Sequence, residues 1–178
     1  GLRAVAGFAP ELLLGAERRD LLTPAPRAVL ARVGNWRPES LLAALEIAER
    51  AGVPTPNPAR ALRIGRDHWR SLVVLRDAGL PVPDSVVGSD PELLAAEAVR
   101  QFGLPVVVKQ RRSRMGVGVI RCDRLDHLEA VLDSLWRVGD EVLVQRFVGT
   151  EGTSIRVVVA GGRVVASARF RARPDDWR

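Results

Sequence analysis

The sequence predicts an α+β fold built on antiparallel strands, and three observations carry that prediction. From residue 59 onward the apolar patterning runs helix, strand, helix, strand, loop, strand, helix, strand and then a new hairpin. Strands therefore follow one another without the strict alternation that a doubly wound parallel sheet requires. Residues 104–120, LPVVVKQRRSRMGVGVI, hold two apolar runs joined by a polar, glycine-bearing loop. Finally, Gly161-Gly162 separates two alternating runs, which is a two-residue hairpin signal. Neither a GxxxxGK[ST] phosphate loop nor a dinucleotide-binding glycine fingerprint occurs in the chain.

Taken in order, residues 1–26 offer a short helix over Pro10–Ala16 and a breaker, TPAP, at 23–26. Ala28–Val33 reads as a strand with its turn at Gly34 and Asn35. Pro38 then opens a helix in which Leu41, Leu42, Leu45 and Ala48 recur at helical spacing up to Gly52. Val53 begins an extended stretch that ends in PTPNP, the first expected domain boundary. This is an α/β fragment with Arg32 at the carboxyl end of its first strand, where such folds place ligand contacts. Asp67–Ala78 reads as an amphipathic helix closed by Gly79, with Trp69, Leu72, Val73 and Leu75 expected to be buried. Extended chain with Val86 and Val87 follows. Asp90 before Pro91 is an N-cap with proline at the first helical position, and that helix stops at Gly103. Strands at 105–109 and 117–121 flank the loop. Leu125–Val138 is a helix with Leu128, Val131, Leu132, Leu135 and Trp136 on its apolar face. Glu141–Phe147 is a strand, and Ser154–Ala160 with Arg163–Arg171 forms the hairpin.

Lysine and arginine total 27 of the 178 residues, and Lys109 is the only lysine. A chain that uses arginine everywhere else retains one compact ammonium, at the end of a buried strand and before a loop with free backbone N–H groups. That pairing reads as half of a phosphate cradle; a snorkelling lysine before an ordinary hairpin loop is the plainer alternative. The net charge of +6 raises anionic substrates or nucleic acid as partners. With four Phe, four Trp and no Tyr, a base-stacking platform is thinly supplied, so nucleic acid is disfavoured. A single cysteine, Cys122, excludes an internal disulfide, fits a reducing compartment and has no base beside it. No segment is long and apolar enough to span a membrane, and a cytoplasmic location is expected. His127 reads as a helix-surface residue.

Six stretches resemble the ATP-grasp ligases, most closely the RimK-type group that joins glutamate or a related amino acid to a carboxylate. They are AVLARVGN (28–35), GVPTPN (52–57), RDHWRSLVVLRDAGLPVPDS (66–85), LPVVVKQRRSRMGVGVI (104–120), VLVQRFV (142–148) and SIRVVVAGGRVVASARFRA (154–172). The resemblance implies that Lys109 contacts ATP phosphates and that the loop Ser113–Gly118, with Gly116 and Gly118, closes over them. It implies a hinge strand over Gln145, Arg146, Phe147 and Val148 that reads adenine through its backbone, with Phe147 helping to form an apolar slot. Arg156 and Arg171 would both face the phosphate and acyl-phosphate region, and His68 would reach the nucleotide. Arg178 would contact the acidic substrate, for which Arg32, at its strand end, is the other candidate.

Three positions depart from the family pattern. His68 stands where a lysine is usual, Arg146 where the hinge is acidic, and Ser154 where an aspartate is usual. The Mg²⁺ ligands of the family, an acidic residue and a later Glu-x-Asn, are expected after Arg178, so the 178 residues read as an incomplete ligase. The expected division is a partial preceding α/β domain over 1–57, a first ATP-grasp subdomain over 58–148, and the start of the second over 149–178. The function implied is ATP-dependent ligation of an amine to a carboxylate through an acyl phosphate. A degenerate, non-catalytic nucleotide-binding module is the alternative, with a basic nucleic-acid-binding protein behind it. Assembly into a homo-oligomer is left open.

Overall fold

The structure is a computed structural model that describes residues 27–31, 38–113, 117–139 and 141–173. The chain divides into two compact units between Ser71 and Leu72.

In the first unit, helix α1 (Pro38–Arg50) packs on helix α2 (Ala59–Gly65). The apolar positions read at helical spacing do the packing: Leu42 and Leu45 close on Ala59, with Val29, Ala31 and Leu62 around them. Glu49 ties the two helices together, since its Oε1 accepts from Ala59 N at 2.7 Å and from Thr55 Oγ1 at 3.0 Å. Arg63 does the same from the other side, reaching Glu39 at 2.6 Å and Glu46 at 2.8 Å. Residues on both sides of PTPNP thus share one core, and that segment is a turn inside the unit, not the expected boundary at 57. The expected strand Ala28–Val33 is reduced, over its described part, to one rung in which Val29 N donates to Pro54 O at 2.9 Å.

Helix α3 (His68–Asp77) begins at Asp67, whose Oδ1 accepts from Arg70 N at 3.1 Å. The sequence placed an apolar face on it, yet none of its residues is buried.

The second unit is a four-stranded antiparallel sheet with two helices on one face, followed by a separate hairpin. Its elements are β1 (Ser85–Val87), α4 (Pro91–Phe102), β2 (Val106–Gln110), β3 (Val119–Cys122), α5 (Leu125–Arg137) and β4 (Val142–Arg146). The sheet order is β1-β4-β2-β3. Helix α4 starts as its sequence requires: Asp90 caps Leu93 N at 2.9 Å, Pro91 follows, and Gly103 ends the helix at φ 68°.

Side chains alternate across a strand, so the register sorts the sheet into two faces. Val86, Val142, Val144, Val106, Val108, Ile120 and Cys122 face the helices and pack on Leu94, Ala95, Ala98, Leu128 and Leu132. Burial pushes the Cys122 thiol above its ordinary pKa, which suits an inert core cysteine. Trp136, expected in this core, is 56% exposed at the last turn of α5. The other face carries the rows Ser85, Gln145, Val107, Arg121 and Val87, Leu143, Lys109, Val119.

Among the described residues, strands β5 (Thr153–Ala160) and β6 (Arg163–Arg171) pair only with each other. Gly161 (φ 57°) and Gly162 (φ 73°) make the turn that two positive φ values allow. Every residue of β6 is exposed, as is every residue of β5 after Thr153.

Candidate functional site

The face of the sheet away from α4 and α5 holds the charged and amide side chains that the sequence singled out. Lys109 is delivered there by β2, two residues along from buried Val107. Its Nζ donates to Gln145 Oε1 at 2.6 Å. The two residues belong to different rows of the β2–β4 ladder, since Val107 pairs with Gln145 and Lys109 with Leu143. Diagonal neighbours of this kind lie within reach of long side chains. Gln145 is itself buried, and its Nε2 donates to Ser85 Oγ at 2.9 Å. Desolvation lowers the Lys109 pKa from the ordinary 10.5. Among the described residues no carboxylate is paired with this ammonium.

A half-buried cation with a neutral amide as its partner is costly unless an anion completes it. This is the electrostatic signature of the site. Beyond Lys109 the chain turns. Gln110 N donates to Gly118 O at 3.0 Å, closing the base of the loop, and Gly118 sits at φ 69°. The positive φ favours glycine there, and a Cβ, 1.9 Å from Gln110 Oε1, would also force the Gln110 side chain to move. Ser113 is half-buried on the outgoing limb of this loop. Gly116 lies outside the described residues, as do Arg32 and Arg178.

The hinge residues separate by parity. Phe147, two residues past Gln145, lies under the Arg121 guanidinium, 4.4 Å from ring centroid to Cζ. Arg121 also binds Asp123 at 2.6 Å. Sequence reasoning missed both Arg121 and Ser85 as members of this face. Only the strand register brings them there, although Arg121 stands one strand position after Ile120 in a stretch already marked. Arg146 points the opposite way: its Nε meets Asp84 Oδ2 at 3.1 Å and its Cζ lies 5.8 Å from the Phe102 ring of α4. The departure from an acidic hinge residue therefore introduces no cation on the Lys109 face. Val148 is exposed just past the strand.

On the hairpin, Arg156 pairs with Ala168 and Arg171 with Thr153. Positions 168 and 171 differ by an odd number, so Arg156 and Arg171 lie on opposite faces of the ribbon. The expectation that both face one region fails on this register. Arg156 lies over Phe170 at 4.7 Å, on the face that also carries Ser154. The face of Arg171 also carries Arg169, whereas Arg163, beyond the register irregularity at Val158/Val159 and paired with Ala160, falls on the face of Arg156. His68 is the first residue of α3, half-buried, in the stretch assigned to the other unit.

Among the described residues, no group of three or more His, Cys, Asp or Glu side chains could hold a metal ion. No helix there is long and apolar enough to cross a membrane.

Comparison with known proteins agrees with this architecture. Residues 65–178 match the RimK-like ATP-grasp domain. A "Probable alpha-L-glutamate ligase" of Pasteurella multocida is 30% identical over 152 residues, covering 85% of this chain and 48% of that protein. One of the same name from Xanthomonas campestris pv. campestris (strain 8004) is 33% identical over 153 residues, covering 85% and 52%. The chain thus spans about half the length of the curated relatives it matches. Among solved structures, a RimK domain ATP-grasp protein from Sphaerobacter thermophilus DSM 20745 superimposes with a TM-score of 0.65 at 28% identity, over 81% of this chain and 55% of that one. The ATP-grasp ligase PsnB, complexed with a minimal precursor, gives 0.61 at 26% identity, over 86% and 54%.

Proposed function

The chain belongs to the RimK-like ATP-grasp family, and from that membership we propose that it is the nucleotide-binding part of an ATP-dependent carboxylate–amine ligase. In that reaction a carboxylate oxygen attacks the γ-phosphorus of ATP, ADP leaves, and an amine displaces phosphate from the acyl phosphate. Glutamate, or an amino acid like it, is the amine suggested by the names of the relatives.

The observation that carries the proposal is the half-buried Lys109 ammonium with no carboxylate partner among the described residues, held at the base of a glycine-closed loop. An ATP phosphate supplies the missing negative charge, and charge-assisted contacts of this type are the strong ones. By the family resemblance, the loop from Ser113 to Gly118 would offer backbone N–H groups to the same oxygens. Phe147, backed by Arg121, offers an apolar wall to the adenine ring, and the backbone of Arg146 to Val148 reads its edge. Arg171, together with Arg169 on the same hairpin face, addresses an acidic substrate. The ion pairs among the described residues all fall outside that hairpin, which leaves these guanidinium groups available for a ligand. Arg156, on the other face, serves the hairpin through Phe170. Roles for His68, Gly116 and Arg178 rest on the family resemblance, and that of Arg32 on its expected place at a strand end. Mg²⁺ would neutralise the transferred phosphoryl group, but the described residues do not fit a metal site, and no step is derived through the ion.

Calorimetric titration with ATP, on this chain and on Lys109→Ala, tests the proposal. Wild type is expected to bind saturably and the variant roughly 10- to 100-fold more weakly, the loss of one hydrogen bond to a charged group. Equal binding by both would remove Lys109 from the site. Saturable, Lys109-dependent binding by a full-length protein that never ligates would favour the non-catalytic module, the reading to which His68 and Ser154 already lean.

A further inference from the structure

We propose that Ser85 is a positioning residue for the phosphate-binding lysine: it fixes which way the Gln145 amide faces, and Gln145 in turn holds the Lys109 ammonium in place. The inference rests on the nucleotide reading of Lys109 given above.

The argument follows the hydrogen-bond directions. Pro83 O can only accept, and Ser85 Oγ donates to it at 3.0 Å. The single hydroxyl proton of Ser85 is thereby committed, so toward Gln145 the Oγ offers a lone pair and nothing else. Gln145 must then present its NH₂ to Ser85, at 2.9 Å, and its carbonyl oxygen to Lys109, at 2.6 Å. The reverse amide orientation would aim NH₂ donors at an ammonium, which has no acceptor. Each link has one direction, from a proline carbonyl in the chain before β1 to a cation on β2. The burial of Gln145 gives the link its force, because a buried amide cannot turn to water for substitute partners. Ser85 and Gln145 are direct partners in the β1–β4 ladder, so the contact is set by backbone register.

A lysine side chain has many rotamers, and its ammonium is a point charge without the directional fork of arginine. Holding it before ligand arrives removes an ordering cost from binding. Desolvation lowers the Lys109 pKa, so an oxygen held against the ammonium at 2.6 Å is where a change in the network should register.

The chain itself supplies the probe. Lys109 is the only lysine, so protein labelled with ¹³Cε-lysine gives one side-chain resonance whose titration reports this ammonium directly. Wild type is expected to titrate below 10.5. Ser85→Ala should titrate lower still and bind ATP about two- to tenfold more weakly, the effect of losing one hydrogen bond. Ser85→Thr keeps the hydroxyl and should restore both. Gln145→Glu has two acceptor oxygens and needs no orienting, so in that background Ser85→Ala should no longer move the Lys109 resonance. Should Ser85→Ala alone prove unstable, this double variant and Ser85→Thr still decide the matter. A Ser85→Ala protein with lowered thermal stability but wild-type titration and ATP affinity would overturn the inference and leave Ser85 merely structural. A titration that follows Ser85 while Lys109→Ala binds ATP as well as wild type would keep the network and sink the nucleotide reading instead.

Discussion

The sheet of the second unit and the hairpin that follows it are written in nearly the same alphabet. VVVKQ and VLVQR build the two central strands, while SIRVVVA and RVVASARFR build the ribbon. In the sheet, Val106, Val108 and Val144 are fully buried; in the ribbon, Val158 is 56% and Val164 65% exposed. The difference lies outside the strands. Helices α4 and α5 come from the same stretch of chain and lay Leu94, Ala95, Ala98, Leu128 and Leu132 on one face of the sheet. Within the described residues nothing comparable covers the ribbon. Valine runs therefore declare a strand, and only the neighbouring helices decide whether it is core.

The sharpest way to break this contrast is a pair of truncations. Leu128→Ala, at a fully buried position, should cost about 2–5 kcal/mol in a denaturant titration, the usual range for a buried leucine. Val158→Ala on the exposed ribbon should stay within about 0.5 kcal/mol. Similar costs at the two sites would mean that the ribbon is covered in solution. A smaller effect separates the two turns. Gly118→Ala combines φ 69° with a collision against the Gln110 side chain, and should lose about 1–3 kcal/mol. Gly162→Ala has φ 73° but open space, so only the backbone penalty of about 1 kcal/mol remains. The first should also weaken ATP binding, whereas the second should leave it unchanged. Asp90→Ala, which removes the cap of α4, belongs with the latter at about 1 kcal/mol.

What the sequence disclosed follows the same divide. Local chemistry was legible: the Asp90-Pro91 start and Gly103 stop of α4, the Gly161-Gly162 turn, and Lys109 as an unusual charge. Features set by partners far along the chain were not. Helix α2 escaped because only Ala59 and Leu62 of it enter the small core, too few to show a period. PTPNP looked like a linker because its composition is that of one, although Glu49 binds across it. Trp136 was assigned to the core by its spacing, yet it falls in the last turn of α5, past the edge of what the sheet covers. At the site, Lys109 stood out by type, whereas Ser85 is separated from Gln145 by 60 residues and joins it only through the ladder. Likewise, opposite faces for Arg156 and Arg171 required the register, including the irregularity at Val158/Val159.

The smallest expected effect sits on α4, whose two sides repeat the contrast between covered and open surfaces. Leu94, Ala95 and Ala98 face the sheet, while Glu97 on the open side binds Arg100 at 2.6 Å and accepts from Gln101. Hydrogen bonds from Arg100 and then Gln101 hold the Glu97 carboxyl down at about 2, against an ordinary 4.5. A carboxylate whose pKa is depressed by folding stabilises the native state above its unfolded pKa, and that contribution is lost as pH falls through the folded value. Wild type should therefore exceed Glu97→Gln slightly in thermal stability at neutral pH, and the two should converge between about pH 4.5 and 2. Because the Arg100 and Glu97 side chains remain 69% and 41% exposed, the gap should be small and should close in high salt. A gap that survives both acid and salt would mean that Glu97 is shielded from solvent, and that the open side of α4 is covered as its buried side is.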